Sequence, residues 1–91
     1  MDIVRPANAT RELGVPQEWD TATQGACSPL PVIDYEEGGS PWMLSVWKPD
    51  ADDLAALNAG HGITLAILGK AHPVVAVGIT NVAITDLPVV P

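Results

Sequence analysis

His61, His72 and Cys27 are the side chains of this chain that could offer a neutral nitrogen or a thiolate to a metal. No pair of them has the spacing of a zinc site, and such a site needs three or four ligands. No metal and no cofactor is therefore expected. His61 follows Gly60, where it reads as the end of a helix, and a protonated imidazole is favoured at a helix C-terminus. His72 precedes Pro73, which biases it toward extended geometry. It reads either as a turn residue bonded to backbone or as a ligand contact presented by a short loop.

The carboxylates and hydroxyls say less. Asp34, Glu36 and Glu37 have the residue types of a paired-carboxylate glycosidase site, but they adjoin Gly38-Gly39 and read as a solvated turn. Ser28, Ser40 and Ser45 lack a nucleophile-elbow context, and the glycines form no phosphate-binding fingerprint. Enzymatic activity is not expected.

Three Trp in a chain without Phe carry more weight. Trp offers a large apolar face and one N–H donor, which suits small cores and binding hot spots alike. Trp42 and Trp47 are five positions apart, so on one strand they fall on opposite faces. One is expected in the core and the other toward a cleft, a partner or water. Lys48 stands beside Trp47, with Arg5, Arg11 and Lys70 as the other cations. A Trp face with one or two cations can hold a nucleotide, the ring stacking on the base and the cations meeting phosphate.

Positioning such residues falls to a short chain. Ninety-one residues make one domain. With 47% apolar residues it is not a disordered sequence. The core must come from Val, Ile, Leu and Ala, which suit strands. Residues 1–29 read as irregular, broken by Pro6, Gly14, Pro16, Gly25 and Pro29. A piece at 10–13 is compatible with a turn of helix or an edge strand, and Trp19 is expected to anchor the segment. Residues 30–35 alternate in part and lead into E-E-G-G-S, a hairpin connection, with 42–48 as the partner strand.

Pro49 ends that strand. Asp50 is a helix N-cap, Asp52 and Asp53 put negative charge in the first turn, and Gly60 supplies the stop. Leu54 and Leu57 are spaced for one buried stripe. Residues 63–68 are almost wholly apolar, as in a central strand covered on both faces. Residues 74–79 are β-rich and read as its neighbour, and 81–91 as an edge strand or tail limited by Pro88. The expected fold class is α+β, a small antiparallel sheet of about four strands with one short helix in β-β-α-β-β order over residues 30–80.

Eleven carboxylates against four Lys or Arg give a net charge of −7, and beyond Asp53 only Lys70 and Asp86 are charged. Net acidity argues against direct nucleic-acid binding and against anionic membrane surfaces. No apolar run approaches the roughly 20 residues of a membrane span. The N-terminus lacks the basic start and apolar core of a signal peptide. With one lone Cys, the chain reads as cytoplasmic. A strand-rich half with so little charge predicts a cover, and a homo-oligomer is the economical one.

In combination, A-T-R-E-L-G-V-P-Q-E-W-D (9–20), C-S-P-L-P-V-I-D (27–34), S-V-W-K-P-D (45–50) and G-K-A-H-P-V-V (69–75) resemble small uncharacterised accessory proteins of tailed phages and prophages. The resemblance spans most of the chain and transfers no functional residue. It implies a phage accessory protein acting in the host bacterial cytoplasm. Such proteins often counter host defence by binding a host protein or by sequestering a nucleotide immune signal in an oligomer.

The preferred expectation is that second form, a non-enzymatic counter-defence protein with Arg11, Trp19, Trp47, Lys48 and His72 at the ligand. The aromatic rings would stack, Arg11 and Lys48 would meet phosphates, and His72 would bond base or ribose. The rivals are an acidic inhibitor of a host defence or nucleic-acid-binding protein, and a virion or assembly component.

Overall fold

The computed structural model describes residues 1–84. The element order is β1 (Asp2–Val4), β2 (Arg11–Leu13), α1 (Thr21–Gln24), β3 (Leu30–Glu37), β4 (Ser40–Leu44), β5 (Val46–Lys48) and α2 (Ala51–Asn58). The fold class is α+β, with antiparallel strands throughout. Strands β2, β3 and β4 form one sheet in that order, and β1 pairs with β5 in a second.

The hairpin forms where its sequence signal lies. Tyr35 stands opposite Trp42 and Glu37 opposite Ser40, leaving Gly38 and Gly39 as a two-residue loop. Their φ values of 60° and 79° are both left-handed, the requirement of the turn that matches strand twist. Tyr35 and Trp42 stack with ring centroids 6.5 Å apart.

Helix α2 is specified at both ends. Asp53 donates its backbone N–H to Asp50 Oδ1 at 2.8 Å, and Asp50 returns its N–H to Asp53 Oδ2 at 2.9 Å, a reciprocal capping box. At the other end Gly60 has φ 91°. Its N–H bonds the Leu57 carbonyl at 3.1 Å, and the His61 N–H bonds the Ala56 carbonyl at 3.0 Å. These two bonds satisfy carbonyls that the helix leaves free. The expected buried stripe is absent from α2: Leu54 is exposed and Leu57 only half-buried.

Other expectations are corrected or resolved. The single partner strand expected over 42–48 divides at Ser45 into β4, which pairs with β3, and β5, which pairs with β1 in the second sheet. Residues 1–29 hold β1, β2 and α1 rather than irregular chain throughout, because three-residue strands are too short to show a period and gain their ladders from distant partners. Of the two alternatives at 10–13, the strand is realised. Residues 63–68 and 74–79 are not strands, and 81–84 form none either; the remainder of the expected edge strand lies outside the described residues. Among the described residues after His61, no backbone hydrogen bond joins the chain to a ladder. β-branched composition specifies a pleated surface, but a strand exists only beside a neighbour that completes its hydrogen bonds.

The core is correspondingly small. Val32 and Val46 are its buried hydrophobic residues among those described. The radius of gyration is 15.0 Å, against about 12 Å for a compact domain of this length.

Candidate functional site

Strand β5 presents Trp47, and the pairing with β1 decides what surrounds it. Ile3 stands opposite Trp47 and Asp2 opposite Lys48. The indole N–H of Trp47 donates to Ser45 Oγ at 2.9 Å, which fixes the ring while leaving the residue 43% exposed. The ring borders an open groove of about 560 Å³, whose lining includes Ile3, Arg5, Glu12, Ser28 and Pro31. Arg5 and Glu12 form an ion pair at its rim. The groove thus offers an apolar platform, a hydroxyl and one arginine, beside the carboxylates of Glu12 and Asp2. Exposed ion pairs of this kind contribute little to stability, so Glu12 is not held firmly on Arg5.

Trp42 is the inward member of the Trp pair, half-buried against Tyr35. The two rings are separated not by alternation along one strand, as the spacing suggested, but by lying on β4 and β5 of different sheets.

Of the five residues expected at a ligand, the structure places only Trp47 in this groove. Lys48 follows it on β5, so its side chain takes the opposite face of the strand. Trp19 is occupied locally. Its indole N–H donates to the Gly25 carbonyl at 2.9 Å and its backbone N–H to the Pro16 carbonyl at 3.0 Å. These bonds anchor the segment around α1, where Asp20 caps the helix through the Ala22 N–H.

His72 lies in a separate hollow of about 220 Å³, with Ile67, Gly69, Lys70 and Ala71. Its Nδ1 is 2.6 Å from the Pro73 carbonyl oxygen, a contact it makes as an N–H donor. The turn-like reading of His72 is thus realised, beside a second cation.

Arg11 is committed to Asp34. Its Nε and Nη2 donate to the two carboxylate oxygens at 2.9 and 3.0 Å, the bidentate geometry in which guanidinium and carboxylate fit best. Thr10 completes the latch. Its hydroxyl bonds Asp34 Oδ2 at 2.5 Å and accepts the Asp34 N–H at 2.8 Å, tying the β2 entry to β3. An arginine so held is a structural clamp, which removes it from the phosphate role. The sequence signal for this was poor, since Asp34 is 23 positions away.

The Arg11 guanidinium, and after it the Thr10 hydroxyl, hold the Asp34 carboxyl below its ordinary range. A carboxylate of lowered pKa adds stability above its unfolded value of about 3.9, and that stability is lost as pH falls through the lower folded value. The urea midpoint is therefore expected to be level above about pH 5 and to fall below about pH 4. Asp34→Asn should flatten part of that acid limb. Superimposable acid limbs for the two proteins would show that the latch carries no pH-dependent stability. Asp53, lowered in the same direction chiefly by its bond to the N-terminal amine, leaves a residual limb in the variant.

Among the described residues no group of three or more His, Cys, Asp or Glu is placed to hold a metal ion, and no helix is long and apolar enough to cross a membrane. Comparisons with protein-family models, curated proteins and solved structures found no significant match.

Proposed function

We propose that the chain is a non-enzymatic binding protein that acts as an assembly of copies and holds a small anionic ligand of the nucleotide type beside Trp47. The observation that carries this reading is the half-exposed Trp47 ring, pinned by Ser45, bordering a groove that also contains Arg5. A base would stack on the indole, and a phosphate would take the place of Glu12 on Arg5. Ser28 supplies a hydroxyl for a sugar or phosphate oxygen. The groove and its open form suit holding rather than turnover.

The resemblance to phage accessory proteins supports a setting for this chemistry, the sequestration of a nucleotide immune signal in the host bacterial cytoplasm. An acidic inhibitor imitating nucleic acid fits less well. Asp34 and Asp53 are spent on internal partners and Asp50 on a helix cap, which withdraws these three from any such row. The exposed apolar residues beyond α2 also suit the virion or assembly component.

Isothermal titration against a panel of cyclic and linear nucleotides tests the reading. Binding at micromolar concentration is expected for at least one member. Trp47→Ala should weaken it about 5- to 150-fold, the equivalent of one lost stacking contact of roughly 1–3 kcal/mol. Arg5→Ala should weaken it further for polyphosphates than for monophosphates. No heat from any nucleotide at millimolar concentration would refute the ligand class.

A further inference from the structure

We propose that residues 74–79 of one copy add as a β-strand to the free edge of β4 in a second copy. Such pairing presupposes the assembled state proposed above. The donor is the sequence V-V-A-V-G-I, with no charge and no Pro. Val74 is 86% exposed and Ile79 87%. Its backbone groups enter no ladder among the described residues. Exposed β-branched side chains on an unpaired backbone are a template for strand addition.

The acceptor follows from the charges on the edges. Strand β2 carries Arg11 and Glu12, β1 carries Asp2, and β5 carries Lys48. Charges of this kind block unwanted pairing at a sheet edge. Strand β4, S-P-W-M-L, carries no charge and ends the three-stranded sheet. Pro41 lacks an N–H, so its free edge offers the Met43 N–H and the carbonyls of Pro41 and Met43 to a partner. Met43 and Leu44, on its two faces, are 55% and 47% exposed. An added strand would find Leu44 as an apolar neighbour on one face and, on the other, Met43 lying against the Arg11–Asp34 pair.

The occupant is a second copy because of the area to be covered. The chain exposes 7330 Å², about 2,300 Å² more than a compact monomer of its mass. A standard interface buries about 800 Å² on each partner, so the surplus matches an extensive, intertwined contact rather than a transient one. Both halves of the joint, the uncharged donor and the uncharged edge, are present in the same chain. Identical copies can therefore satisfy each other without a further protein.

The test combines sedimentation with hydrogen exchange on the full chain. Expected are an assembly of two or more copies at micromolar concentration and slowed exchange at 40–44 and 74–79 that fades on dilution. Val77→Asp on the donor and Met43→Lys on the edge should each shift the chain toward monomer by at least tenfold in dissociation constant. A monomer at micromolar concentration would overturn both this pairing and the assembled state. An assembly in which 74–79 exchange as fast as an unstructured peptide, or one that neither substitution weakens, would overturn the pairing alone. Nucleotide titration of the same variants reads the Trp47 groove separately.

Discussion

Replacing Val32 and Val46 together by Ala is expected to remove about 4 kcal/mol of stability, close to the lower bound for a domain of this size. Each substitution deletes two methyl groups from a site that is 2% or 7% exposed. Transfer of those groups accounts for about 1.6 kcal/mol per site, and the cavity left behind raises each loss to roughly 2 kcal/mol. Domains of about ninety residues are stable by roughly 5–14 kcal/mol, and a core this small puts the chain toward the lower bound. The measurement is urea unfolding of the double variant beside each single one. A combined loss below about 1 kcal/mol would mean that stability resides elsewhere, above all between copies. In that case the wild-type midpoint should rise with protein concentration.

The second large effect is expected at the hairpin. Gly38 and Gly39 both hold left-handed backbone, a conformation that costs a residue with a Cβ roughly 1–2 kcal/mol. Val is worse placed than most because its branched Cβ crowds the following carbonyl. Gly38→Val with Gly39→Val should therefore lose about 2–4 kcal/mol, with the unfolding midpoint falling accordingly. Gly38→Asn is the contrast. Asn-Gly is the favoured pair for this turn, so that single change should be nearly neutral. Equal losses from Gly38→Asn and Gly38→Val would show that space near the turn, rather than backbone handedness, sets the requirement. No side chain lies within 4 Å of a Cβ built at either position, which favours the backbone explanation.

Legibility in the sequence tracked how local each determinant is. The cap of α2 and its stop lie within a dozen residues of one another, as do the two arms of the hairpin, and both read directly. The partners of Arg11 and Trp47 do not lie nearby. Arg11 meets Asp34 across the β2–β3 ladder, and Trp47 acquires Ile3 across the β1–β5 ladder. A short polar strand such as R-E-L has no period by which to be recognised. Arg5 stood among the available cations, but nothing in its neighbourhood marked it for the Trp47 groove.

By itself, the sequence determined the α+β class, the hairpin turn and the helix with both its ends. These follow from steric limits on φ and from capping chemistry, both of which act over a few residues; that Trp42 and Trp47 stand on strands of different sheets did not. Tertiary structure alone decided that Trp47 is the outward ring, that Arg11 is a clamp, and that His72 lies in a hollow apart from the Trp47 groove. It also decided that the apolar residues 63–79 form no ladder. Their composition makes them ready for a sheet, but a strand is a relation between two backbones, and one backbone cannot specify it.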